Sequence, residues 1–254
     1  MMQTENDYYA DKMEEAYGYD YPEESFDQNE LCYLEETSTS DYFSLEKWNV
    51  GKLNVTADRW AEVIEEYEDL RVATFGAGCF WGTEKFFAKD FEKKFPGSII
   101  STCVGFMNPV PNKFSNPTYQ EVRSGFTGHI EVAHIMYDKS KAKYEDLCKH
   151  FFSFHDPTQQ DRQKNDKGPQ YASAIFFHSN AQRQIASRVK KTLQKMMYAG
   201  KVEGYKGYLV RTYIVGAQQF WPAETHHQRY LEQQPTGYCN HRIRFNWDDI
   251  EEQM

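Results

Sequence analysis

A chain of 254 residues with 40% hydrophobic content can bury a real core, as one large domain or two small ones. It has no run near the roughly 18 apolar residues of a membrane span, which excludes an integral helical membrane protein and leads one to expect a soluble one. The net charge of −9 hides an asymmetry: of 38 acidic and 29 basic residues, 20 and 4 fall in residues 1–70, leaving 18 and 25 in the remainder. The five cysteines (Cys32, Cys79, Cys103, Cys148, Cys239) are odd in number and irregularly spaced, which argues against a disulfide scaffold and for free or catalytic thiols. Residues 1–7 lack the character of a secretory or mitochondrial leader, so a cytoplasmic or nuclear address is expected.

Residues 1–55 mix tyrosines and acids with neither helical nor strand period. So few aliphatic residues cannot offset the entropy of ordering, and a disordered acidic extension is expected, serving as an inert tail, an arm for a basic partner or a flap. Over 56–70, Trp60, Val63, Ile64, Tyr67 and Leu70 share one face of an amphipathic lead-in helix. From Arg71 onward short β-like and longer helix-like segments alternate. Strands are expected at 72–75, 98–107, 129–137, 171–178 and 208–215, and helices at 83–91, 117–123, 143–154, 180–197 (capped by Asn180) and 224–233. Several strands lack a crossover long enough to return parallel, which predicts an α+β sandwich, a mixed and mostly antiparallel sheet flanked by helices.

Chemistry concentrates on Gly76-Ala77-Gly78-Cys79-Phe80-Trp81-Gly82-Thr83-Glu84, where a strand hands over to a helix. Glycines there allow close approaches, and unpaired N–H groups at a helix start would bias Cys79 toward thiolate. Phe80 and Trp81 would wall an apolar pocket beside the sulfur. Glu131 follows the glycine-rich turn 125–128 and, if buried, would have a raised pKa and serve as a general acid. Tyr119 and Tyr171 follow rigid turns and could donate to an oxygen that gains charge. The histidines and cysteines lack metal-ligand spacing, and the Gly-x-Gly at 76–78 lacks the rest of a dinucleotide fingerprint.

The set Gly78-Cys79-Phe80-Trp81-Gly82 with Glu84, Asn116-Pro117-Thr118-Tyr119, Gly128-His129-Ile130-Glu131-Val132, His155-Asp156-Pro157-Thr158-Gln159, Asn165-Asp166 with Gln170-Tyr171, Ala223-Glu224 with His227-Gln228, and Gly237-Tyr238-Cys239 resembles the A-type peptide methionine sulfoxide reductases. The resemblance spans residues 71–240, which it marks as a catalytic domain, with 241–254 as a C-terminal tail. It implies that Cys79 attacks the sulfur of a methionine S-sulfoxide and becomes a sulfenic acid. Phe80 and Trp81 would hold the S-methyl group, Glu131 would protonate the oxygen, and Tyr119 and Tyr171 would hydrogen-bond it. Asp166 and His227 would border the site, and Cys239 would resolve the sulfenic acid as a Cys79–Cys239 disulfide. Thioredoxin would recycle that bond by exchange. Oxidised proteins or peptides are the implied substrates, possibly with free methionine sulfoxide, and no bound cofactor, metal, nucleic acid or membrane is implied; the chain is taken as a monomer.

Two departures from the family pattern stand out. Gly105-Phe106-Met107-Asn108-Pro109, continuing to Ser115, replaces the usual Gly-Tyr-x-Gly-Gly, and no further cysteine follows Cys239. Cys103 and Cys148 read as core. Two rivals remain at this stage: an acyl-transfer enzyme pairing Cys79 with His129 or His227, and a non-catalytic sulfoxide-binding protein.

Overall fold

The computed structural model describes residues 60–111 and 114–251. The expected disordered extension, Cys32 and the start of the lead-in helix lie outside the described residues. Helix α1 (Trp60–Glu66) buries Trp60 and Val63 against Leu70, Ile100, Cys103 and Met136. Leu70 belongs not to that helix but to the first position of strand β1 (Leu70–Ala77), because the helix stops at Glu66.

The chain continues through α2 (Phe80–Lys85), β2 (Ile99–Met107), α3 (Tyr119–Arg123) and β3 (Ile130–Asp138). Next come α4 (Tyr144–Phe154), a small hairpin of β4 (Arg162–Gln163) and β5 (Asp166–Lys167), then β6 (Ser173–Phe177) and α5 (Asn180–Tyr198). Strands β7 (Tyr213–Gly216) and β8 (Phe220–Pro222) and helices α6 (Tyr230–Gln233) and α7 (Trp247–Glu251) complete it. Six strands form one sheet in the order β7-β6-β1-β3-β2-β8. Every pairing is antiparallel except β6 with β7, whose connection contains α5, the crossover a parallel pair requires.

Strand alternation sets the two layers. Ala73, Phe75, Ala133, Ile135 and Ile175 meet Phe87, Leu147, Phe151, Val189 and Leu193 in the main core. Residues on the opposite face, among them Met136 and Cys103, pack under α1. Glu131 has the same parity as Ala133 and Ile135, so β3 aims a carboxylate into the helical layer at the start of α2.

The expected helix at 83–91 begins earlier, at Phe80, and runs on through a π-helical segment (Phe86–Phe91) and a last turn (Glu92–Lys94). Gly82 is therefore a helix residue and not a break. A Cβ there would lie 2.0 Å from Nδ1 of His241, whose Nε2 is 2.7 Å from the Ala77 carbonyl. Ser179 caps α5 by accepting from the Gln182 N–H at 3.2 Å, in place of the expected Asn180, which is already helical. The strand expected at 208–215 pairs only from Tyr213, because the Gln194 side chain satisfies Val210 N–H and the Tyr208 carbonyl instead. The expected helix at 224–233 is a 3₁₀ turn (Thr225–His227) followed by α6, interrupted by Arg229 at φ 53°. Edge strand β8 carries no strand signal in the sequence, because it is only three residues long and ends on proline. Among the described residues no helix is long and apolar enough to cross a membrane.

Residues 241–251, set down as a tail, lie along α4. Arg242 and Arg244 donate backbone N–H to Phe154 and Ser153, and the Trp247 indole reaches the Lys149 carbonyl at 2.7 Å. The His241 ring that Gly82 admits is held between Phe86 and Phe154. Gly82→Ala is therefore expected to lower stability by about 1–3 kcal/mol in urea denaturation. Adding His241→Ala should recover part of that loss, and full stability of Gly82→Ala alone would contradict this packing.

Candidate active site

Gly78 turns the end of β1 toward α2 at φ +96°, where a side chain would be strained and a Cβ would sit 2.5 Å from Cβ of Gln163. Cys79 follows as the N-cap, 8% exposed. The free N–H groups of the first helical turn then divide between two acids. Phe80 N–H donates to Glu131 Oε2 at 3.1 Å, and the N–H groups of Trp81 and Gly82 face the Cys79 sulfur.

Burial pushes the Glu131 carboxyl up to about 8, against the bond from Phe80 and aided by Asp166. Cys79 corrects an expectation. The amides of Trp81 and Gly82 do favour its thiolate, but loss of hydration and the Glu131 charge outweigh them and hold the thiol well above its ordinary value. With Glu131 at about 8, its proton is largely present at neutral pH, which removes the charge opposing the thiolate.

Aromatic groups enclose the sulfur. Cys79, Phe80, Val104, Phe106, Val122 and Ala223 form one buried cluster, with Trp81, Tyr119 and Trp221 packed on it. Phe80 is 1% exposed and backs the wall, while half-buried Trp81 presents its ring, stacked on Tyr230 at 3.9 Å. Burial and Glu131 push the Tyr119 phenol up to about 12, and burial, Glu131 and Tyr119 push Tyr171 higher still. Both therefore remain protonated donors at neutral pH. These pairwise influences place Cys79, Glu131, Tyr119 and Tyr171 within electrostatic reach of one another.

His227 accepts from the Trp81 indole N–H at 3.2 Å through Nδ1 and packs against the Tyr119 ring at 4.4 Å. Burial and neighbouring His226 depress it to about 4, so it is neutral. Asp166 serves the other side: it accepts from Tyr238 Oη at 3.1 Å and Asn240 Nδ2 at 2.5 Å, the two residues flanking exposed Cys239. Burial raises its pKa, with those two bonds opposing. Cys79 and Cys239 are both free thiols, while Cys103 and Cys148 are core, as expected. Neither His129 nor His227 hydrogen-bonds the Cys79 sulfur, so the cysteine–histidine pair that acyl transfer requires is not formed here.

Supporting residues were harder to read from the sequence. Glu84, 2% exposed, accepts from Thr102 Oγ1 at 2.9 Å and Arg229 N–H at 2.8 Å, and burial lifts it to about 7. Gln228 clamps β2, with Oε1 accepting from Val104 N–H and Nε2 donating to the Val104 and Ala223 carbonyls. Glu224 accepts from Tyr119 N–H at 3.2 Å. Their only sequence signal was membership of the recurring motifs. In the departing segment, buried Asn108 donates to the Thr127 carbonyl and accepts from Val110 N–H; Asn112 and Lys113 lie outside the described residues.

A thiol, a carboxylic acid and two phenols converge beside an apolar wall, the make-up of a cysteine-dependent enzyme site. A family model for peptide methionine sulfoxide reductase matches residues 71–254. The peptide methionine sulfoxide reductase MsrA of Methanothermobacter thermautotrophicus is 41% identical, over 66% of this chain and 89% of its own length. That of Streptomyces griseus is 38% identical over 70% and 75%. Reduced Mxr1 of Saccharomyces cerevisiae superposes with a TM-score of 0.60 at 30% identity, covering 70% of this chain and 94% of Mxr1. The chain belongs to the peptide methionine sulfoxide reductase family and is an oxidoreductase.

The Glu131 environment carries a stability consequence. Its carboxyl moves from 4.5 to about 8 on folding, so the folded state binds the extra proton between those values. Wild-type stability then falls as pH rises from about 4.5 to about 8 and levels off above. Glu131→Gln removes that penalty. It should match wild type near pH 4.5 and exceed it by a few kcal/mol above pH 8 in urea denaturation, whereas a pH-independent difference would contradict the burial argument.

Proposed function

We propose that Cys79 reduces the S epimer of methionine sulfoxide in proteins and peptides, in a cycle closed by Cys239 and a thioredoxin. The supporting observation is that Cys79 and Glu131 share the first turn of α2, with Phe80 N–H on the carboxylate and the next two amides facing the sulfur. The substrate methyl group rests against Trp81, with Phe80 behind it. Tyr119 and Tyr171 donate to the sulfoxide oxygen, and Glu131 gives it a proton, because unprotonated oxide leaves poorly. His227 holds the Trp81 indole in place.

Cys79 sulfur attacks the sulfoxide sulfur, and the S–O bond of the substrate breaks as the oxygen passes to Cys79. Methionine leaves reduced by two electrons, and Cys79 becomes a sulfenic acid. The Cys239 thiol attacks that sulfur and water departs, leaving a Cys79–Cys239 disulfide. Two electrons from a thioredoxin dithiol restore both thiols by exchange.

Separate S and R epimers of a methionine sulfoxide peptide, assayed with thioredoxin, its reductase and NADPH, test this reading. The S epimer alone should turn over. Cys79→Ser should abolish the reaction, Cys239→Ser should stop after about one turnover with thioredoxin, and Glu131→Gln should slow it by about 10²-fold or more. Turnover by Cys79→Ser, or equal use of the R epimer, would overturn it.

A further inference from the structure

Beside the Cys239 segment lies a groove of about 400 Å³ whose lining includes Arg162, Lys164, Lys206, Arg242 and Arg244 against one carboxylate, Glu203. Among the described residues, none of the five cations is ion-paired with a carboxylate. Asp156, buried behind them, accepts from Lys206 N–H at 3.2 Å and partly offsets Arg244, leaving a positive surplus. Two of the guanidinium groups are fixed: Arg162 Nη2 donates to the Lys164 carbonyl at 2.5 Å and Arg244 Nη1 to the Gly204 carbonyl at 2.7 Å. The Nε of each is buried without a partner. A rigid, under-neutralised set of donors of this kind suits carboxylates.

The groove's position indicates whose carboxylates. Arg242 follows Cys239 by three residues, a reach of about 10 Å. The hairpin bearing Arg162 and Lys164 also carries Asp166, which holds Tyr238 and Asn240 on either side of Cys239. The groove lining includes neither Trp81 nor Tyr119, so it lies outside the sulfoxide pocket, and it meets the Cys239 segment through Arg242.

We propose that this groove docks an acidic segment of the protein thiol reductant, an inference that rests on the two-thiol cycle above. The docked reductant brings one thiolate to the exposed Cys239 sulfur. The Cys79–Cys239 bond breaks, Cys79 leaves toward the amides of Trp81 and Gly82, and the reductant's second thiol displaces Cys239. The reductant thereby loses two electrons and Cys79–Cys239 gains them.

Lys206 and Arg242 are exposed, so their reversal leaves the core intact. Steady-state turnover of a methionine sulfoxide peptide by the full chain is compared for wild type and the double variant Lys206→Glu/Arg242→Glu, with thioredoxin or with dithiothreitol as reductant. The expected result is at least a tenfold loss of kcat/KM for thioredoxin, with dithiothreitol-driven turnover unchanged. Raising salt should weaken thioredoxin use by wild type and not by the variant, and a decaglutamate peptide should inhibit only the wild type with thioredoxin. Unchanged thioredoxin kinetics in the variant, or equal losses with both reductants, would overturn the docking role. A wild type inactive even with dithiothreitol would instead remove the Cys79 reduction beneath it, and one that turns over with dithiothreitol but not with thioredoxin would remove the two-thiol cycle.

Discussion

The amides at the start of α2 serve two acids at once. Phe80 N–H reaches Glu131, while Trp81 and Gly82 N–H face the sulfur of Cys79. A helix start carries a limited positive potential, and here two acids compete for it in a place that water barely enters. Neither can ionise cheaply while the other is charged. The pair is therefore best described by the protons it shares, and the neutral-pH state keeps a proton on Glu131.

That arrangement needs rigid surroundings, and the fold supplies them in layers. β3 delivers Glu131 by strand parity, with Phe106 as its partner on β2. Behind α2, Glu84 binds Thr102 of β2 and the backbone of Arg229, which joins helix, sheet and the loop bearing His227. On the other flank, His241 is wedged against Gly82 and bonded to Ala77, while Asn240 ties the Cys239 segment to Gln163 and Asp166. The two thiols thus belong to differently held pieces: Cys79 to the core, Cys239 to an exposed stretch anchored on both sides.

Much of this was legible in the sequence because it rests on local signals. Alternation in 129–137 and the apolar stripe of 143–154 predict β3 and α4, and the Gly-Cys-Phe-Trp element locates the strand-to-helix turn. What escaped depends on distant partners. That Gly82 permits a close approach is legible, but not that the group approaching it is His241, far along the chain. The stretch at 208–212 reads as a strand until Gln194 takes its backbone bonds. The charge state of Cys79 is hidden for the same reason: the helix start is visible in the sequence, but the burial and the carboxylate that oppose it are not.

The coupling between Cys79 and Glu131 is tested most directly by the pH dependence of Cys79 alkylation with iodoacetamide. The comparison is made in a Cys239→Ser background, with and without Glu131→Gln, reading the site of modification by mass spectrometry. Removing the carboxylate should shift the midpoint of Cys79 reactivity to lower pH. An unchanged midpoint would mean that the two groups do not compete for the same helix start, and the account of the site would fail.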